Sequence, residues 1–180
     1  MSDVTRIIND TSETHQLARD LVKDAQSEIL LLFSAENGFR RTLEAGNGQF
    51  LLEAATRGVI VTVLAPMNEF IKNEARKLEA QNGNISIRSI KPYNSSNSRP
   101  FTTIVVDKKH SLAMEIKDDS KSKVEEAIGQ AIYSTSKRTV EDSIFKFNIV
   151  LQLFQFEDES IKRWLDDALK IVEDNKHGMN

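Results

Sequence analysis

The chain has 180 residues, 39 % of them hydrophobic, which suits one ordinary domain with a sizeable core and excludes global disorder. Its 24 basic and 27 acidic residues leave a formal net charge of −3, which argues against gripping nucleic acid or an anionic membrane by bulk charge. There is no cysteine, and the three histidines, His15, His110 and His177, lie far apart, so disulfides, thiol chemistry and short-spaced metal motifs are excluded and no cofactor or metal is expected.

The first ten residues, MSDVTRIIND, carry no apolar h-region, and the longest apolar run, residues 29–33, is too short to span a bilayer. A cytoplasmic protein without a membrane span is expected. After Thr11-Ser12-Glu13, Leu17, Leu21, Val22 and Ala25 recur at helical spacing and predict a helix. Residues 28–34 form a short continuous apolar run, the pattern of a strand buried on both faces. Residues 35–48, broken by Asn37-Gly38 and Gly46-Asn47-Gly48, read as a loop. A helix around Phe50, Leu51, Ala54 and Ala55 then stops at Gly58, and residues 59–64 predict a second buried strand closed by Pro66. Phe70, Ile71, Ala75 and Leu78 mark a third helix, and Ile85, Ile87 and Ile90 another strand.

This αβαβαβ order calls for a mainly parallel sheet with helices on its faces. Residues 91–100 are a polar loop. Residues 101–106 and 111–117, joined by Asp107-Lys108-Lys109-His110, predict a hairpin that adds an antiparallel pair. Val124, Ala127 and Ile128 suggest a short helix, and residues 131–134 a last strand. From Thr139 to Asn175 the pattern is helical without Gly or Pro. A helix of about 35 residues would be about 50 Å long, too long for this domain. It either folds back near residues 157–160 or leaves the domain to pair with a partner. The expected division is an α/β domain over residues 1–137 and a helical segment over 138–180.

Few residues converge on chemistry. Gly46-Asn47-Gly48 lacks the Gly-Lys-Ser/Thr of a phosphate loop and reads as a turn. Asp118-Asp119 with Glu115 could hold a divalent ion, but Lys117, Lys121 and Lys123 compete for those carboxylates. His110 reads as an exposed turn residue. Arg99, Lys117 and Lys137, with Thr102, Ser134 and Ser136, make a candidate site for a small polar or anionic ligand, charge from the cations and orientation from the hydroxyls.

From Phe101 to Asp107, together with Ala55, Arg57 and Gly58 ahead of residues 59–64, the sequence resembles the phospholipase-D-like superfamily. The resemblance implies a mixed sheet with helices on both faces and a His-x-Lys-x-x-x-x-Asp active site. Aligned on Asp107, the nucleophilic histidine falls on Pro100 and the phosphate-binding lysine on Thr102, so loss of catalysis is expected and the chain is expected not to be an enzyme. Residues 106–120, then Glu126-Ala127-Ile128-Gly129 and Tyr133-Ser134, also resemble the N-terminal sensor region of archaeal (thaumarchaeal-type) histidine kinases, where such a degenerate domain precedes the kinase. No phosphoacceptor motif or ATP-binding domain follows, which implies a cut-out sensor or a stand-alone relative.

The expected fold is therefore α/β, phospholipase-D-like, with a long C-terminal helix. The expected function is a non-catalytic sensor or ligand-binding domain of a two-component system, homodimeric through that helix, with a kinase or response partner and no strong nucleic-acid signal. The alternative is a phosphodiesterase or nuclease of the superfamily with a non-standard site, built across a dimer from other residues. A third class is a transcription-regulatory effector domain of the same superfamily.

Overall fold

The computed structural model describes residues 2–92, 99–155, 167, 170 and 171. Two compact units divide the chain, Met1–Phe147 and Asn148–Asn180. The first holds a seven-stranded mixed sheet. Its strands are β1 (Thr5–Ile8), β2 (Glu28–Phe33), β3 (Ile60–Ala65), β4 (Ile85–Ser89), β5 (Phe101–Val106), β6 (His110–Ile116) and β7 (Ile128–Ser134). In space they run β1-β7-β6-β5-β2-β3-β4. The β2–β3 and β3–β4 pairs are parallel and the remaining pairs antiparallel, the mixed sheet that the change of grammar after residue 90 predicts.

The helices are α1 (Thr11–Asp24), α2 (Gly38–Glu44), α3 (Asn47–Thr56), α4 (Glu69–Gln81), α5 (Val124–Ala127) and α6 (Lys137–Gln155). Asp10 caps α1 through Glu13 N–H, and Asn68 caps α4 through Ile71 N–H, each satisfying a donor the helix start leaves open. The core joins Leu21 and Val22 of α1 and Leu51, Ala54 and Ala55 of α3 to Ile29, Leu31, Val61, Val63, Ile104 and Leu112 of the sheet. Fully burying each of the larger side chains is worth about 1.5–3 kcal/mol.

Two elements differ from the sequence expectation. The short strand β1 lies at the sheet edge, where Arg6 pairs with Tyr133 and Ile8 with Ala131; four residues under a polar N-terminus give too little pattern to read. Residues expected as loop contain α2, because Gly38 is there for closeness rather than for a break. A Cβ on it would stand 2.8 Å from the Phe33 ring. Phe39 is thereby buried against Phe33, ring centroids 5.7 Å apart.

The β5–β6 hairpin turns on Asp107 and Lys108, both at positive φ (54° and 55°). A non-glycine pair rarely adopts this geometry unaided. The Asp107 carboxylate accepts from the backbone N–H groups of Gln26, Ser27 and Glu28 and from the Ser27 hydroxyl, at 2.7–3.2 Å, which locks the turn onto the start of β2. Partial burial pushes this carboxyl up, but the hydrogen bonds from Glu28, Ser27 and Gln26 prevail and hold it below the usual aspartate value.

Val140 and Phe147 of α6 are buried, and Ser143 bonds the Ser111 hydroxyl at 2.8 Å. Most of the expected continuation of this helix and the fold-back near residues 157–160 lie outside the described residues, as do Ser95, Ser96, Asn97, Ser98, Trp164 and His177. No helix among the described residues is long and apolar enough to cross a membrane.

Candidate active site

Register decides which polar residues meet. Phe33 of β2 pairs with Thr102 of β5, and Thr102 with Met114 of β6, so these three side chains share one face of the sheet. Over that face lie α1 and α3. Between them is a cavity of about 70 Å³, lined by Phe33, Thr102, Ile104 and Met114 below and His15, Arg19, Asn47 and Phe50 above. That is room for a few waters or one phosphate-sized group.

Helical spacing aims α1 into the cavity. His15, Arg19 and Val22 stand four and then three residues apart, on one stripe. The His15 side chain is only 8 % exposed, and its Nδ1 is bonded to the Glu125 carboxylate of α5. Its Nε2 lies 3.3 Å from Asn47 Nδ2, and Asn47 Oδ1 accepts from Arg19 Nε at 3.0 Å. A line of four polar groups, Glu125–His15–Asn47–Arg19, thus runs along the roof. The hydrogen bond from His15, and one from its own backbone N–H, hold the Glu125 carboxyl below its usual value. Arg19 and Lys23 also stand over the Phe50 ring, at 5.9 and 4.5 Å from its centroid.

Thr102 is 4 % exposed and lines the floor, yet its hydroxyl has no hydrogen-bond partner among the described residues. Among the described residues Arg40 Nε is the one fully buried side-chain polar atom without a partner, so the Thr102 hydroxyl is open to the cavity that it lines.

The segment leading to α5 is pinned by Arg41 of α2 and by Asn37 just ahead of it. Arg41, 2 % exposed, donates to the Asp119 carboxylate at 2.8 Å and to the carbonyls of Asp119 and Lys121, and Asn37 holds the other Asp119 oxygen. Asp119, considered from sequence for a metal, is an anchor for the chain instead. Among the described residues no cluster of three or more His, Asp or Glu side chains could hold a metal ion.

Of the six residues expected to bind a ligand together, only Thr102 lines this cavity. Arg99 is 75 % exposed and paired with Glu115. Glu115 neighbours Met114 on β6, so its side chain leaves the opposite face. Lys117 follows Glu115 beyond the end of β6, is exposed, and bonds the Ala127 carbonyl through its backbone N–H. Ser134 pairs with Ser111, three residues (about 10 Å) along β6 from Met114 and on the far face. There it bonds the Thr5 hydroxyl at 2.7 Å and accepts from Ser136 N–H at 3.1 Å. Lys137 is exposed beside Glu141. The six are therefore not brought to one mouth of the sheet.

His15 was not singled out from the sequence, although a signal is there: a histidine on the stripe of Val22, four residues before an arginine. His110, the other described histidine, bonds the Tyr133 hydroxyl through Nδ1 at 2.8 Å and is not part of the cavity.

No family model matches the chain, and no curated protein matches it in sequence. Solved structures do. NucT from Helicobacter pylori superposes with a TM-score of 0.64 at 10 % identity, over 84 % of this chain and 97 % of NucT. Nuc from Salmonella typhimurium, a phospholipase D family member, gives 0.54 at 14 %, over 84 % of this chain and 95 % of Nuc. TrmBL2, an archaeal chromatin protein whose structure shows a novel mode of DNA binding, gives 0.59 at 17 %, over 82 % of this chain and 52 % of TrmBL2, so this chain spans about half its length. The fold is phospholipase-D-like. The expectation that the chain is not an enzyme is corrected by these neighbours, which include a phospholipase D family member. The replacement of the motif by Pro100 and Thr102 does not empty the site of a histidine, because His15 enters it from α1.

Proposed function

We propose that this chain is a phosphodiesterase of phospholipase-D fold that works from a non-standard site. The observation that carries it is His15, held by Glu125 in the cavity whose floor is Thr102, the position at which the resemblance places the phosphate-binding lysine. Arg19 at the same roof supplies the cation that Thr102 cannot. The size of the cavity supports entry of a phosphoryl group rather than of a whole metabolite. An overall charge of −3 does not decide the substrate, since one DNA-binding protein shares the fold, so an oligonucleotide belongs among the test substrates. The experiment is turnover of bis-p-nitrophenyl phosphate and of a fluorescent oligonucleotide by the purified chain. Release of p-nitrophenolate or cleavage of the oligonucleotide that survives His110→Ala is expected; no turnover of either substrate contradicts the proposal.

A second reading is favoured by α6. Ile149 and Leu153 are exposed one helical turn apart, and Phe145 is exposed as well. In this reading occupancy of the same cavity is signalled along α6 to a second copy, and onward to a kinase or response partner as in the sensor resemblance. Sedimentation equilibrium tests it: a dimer is expected, and a monomer at tens of micromolar protein rejects it.

A further inference from the structure

We infer that His15 is the general base of this site, acting through Nε2 on a water, and that Glu125 is its positioning residue; the inference rests on the phosphodiesterase proposal above.

The hydrogen-bond line along the roof fixes the tautomer from both ends. Arginine only donates, so the Asn47 atom facing Arg19 is the amide oxygen, and the atom facing His15 is the NH₂ group. That group also only donates, so Nε2 must accept and carries no proton in the neutral ring. From the other end, an ionised carboxylate only accepts, so Glu125 requires the proton on Nδ1. Both requirements give the same ring: protonated at Nδ1, basic at Nε2. Such a dyad is the arrangement in which a carboxylate orients an imidazole and stabilises its charged form once it has taken a proton.

Steric enclosure chooses between base and nucleophile. With its side chain 8 % exposed and its Nε2 already facing Asn47, His15 offers more room to a water than to a tetrahedral phosphorus bearing two ester arms. A water can reach it. The 3.3 Å contact with Asn47 is long for a hydrogen bond and is readily exchanged for that water. The unpartnered Thr102 hydroxyl on the floor is placed to hold the same water or a phosphoryl oxygen, and Arg19 to offset charge on the phosphoryl group.

The step balances without a further reactant. The water oxygen forms a new bond to phosphorus while Nε2 takes its proton. The bond from phosphorus to the leaving oxygen, on the side opposite the entering water, breaks; the alkoxide takes a proton from solvent, and the imidazolium returns its own to solvent. A phosphomonoester and an alcohol leave. With bis-p-nitrophenyl phosphate the leaving group departs as phenolate, and the proton passes to solvent.

The test uses the full chain and bis-p-nitrophenyl phosphate. His15→Gln is expected to lower kcat about 100-fold or more with KM little changed. Glu125→Asp should retain more activity than Glu125→Ala. In Glu125→Gln the loss should fall on kcat with KM little changed, a split that a merely structural role would not produce. Circular dichroism and thermal unfolding identify variants that fold like the wild type. If His15→Gln misfolds, the kcat loss in folded Glu125→Gln carries the test, and an unchanged kcat there overturns the inference. Wild-type turnover that survives in folded His15→Gln overturns the inference alone. A phosphorylated enzyme detected by intact mass overturns the assignment as base. Absence of wild-type turnover removes the phosphodiesterase proposal and the inference with it.

Discussion

At one end of β6, Ser111 and Ser134 are buried on the α6 face, and at the other end Thr102 is buried on the α1 face. Serine and threonine hydroxyls with similar burial meet opposite fates. Ser134 bonds Thr5 and Ser136, and Ser111 bonds Ser143, so each hydroxyl is spent on holding β1, β7 and α6 together. Thr102 has a cavity before it and a histidine across that cavity. Burial alone does not separate a structural polar residue from a functional one; the presence or absence of a partner does.

The largest effect should come from the anchor of the segment that leads to α5. Asp119→Ala leaves the Arg41 guanidinium buried without its carboxylate and frees the segment leading to α5, and should cost about 3 kcal/mol in urea unfolding. Next comes the turn between the two ends. Asp107→Asn removes the charge that draws three backbone N–H groups together and should cost about 2 kcal/mol at pH 7. The folded carboxyl is held below its ordinary value, so its contribution is full above the ordinary aspartate range and is lost as pH falls through the lowered value. The gap between wild type and Asp107→Asn should therefore narrow toward acid pH, and a gap that widens contradicts this account.

The two hydroxyl ends can then be set against each other. Ser134→Ala strips Thr5 and Ser136 of a partner and should cost about 1–2 kcal/mol, with no change in turnover. Thr102→Val removes a hydroxyl that has no partner and should shift stability by about 0.5 kcal/mol or less while lowering turnover. Equal stability losses in both variants would erase the distinction.

Much of the sheet was legible because buried strands are written as apolar runs, unbroken at Ile29 to Phe33 and interrupted only by Thr62 at Val59 to Leu64. The hairpin was legible from Asp107 to His110. By contrast α2 was hidden, since Asn37-Gly38 resembles a break and only the Phe33 ring explains the glycine. Of the candidate site, Thr102 alone was legible. Grouping Thr102 with Ser134 failed because nearness in loops carries no register: β7 folds Ser134 back to Ser111, three residues from the strand position facing the cavity. His15 was passed over because its partners, Asn47 and Glu125, are 32 and 110 residues away in sequence.

The most direct test of the claim that the Thr102 end is the functional one is a titration of the chain with inorganic phosphate, followed by the histidine side-chain and backbone amide resonances. The account predicts that His15 and Thr102 shift together and saturate, while His110 and Ser134 stay in place. Saturable shifts at His110 or Ser134 with His15 unmoved would contradict it.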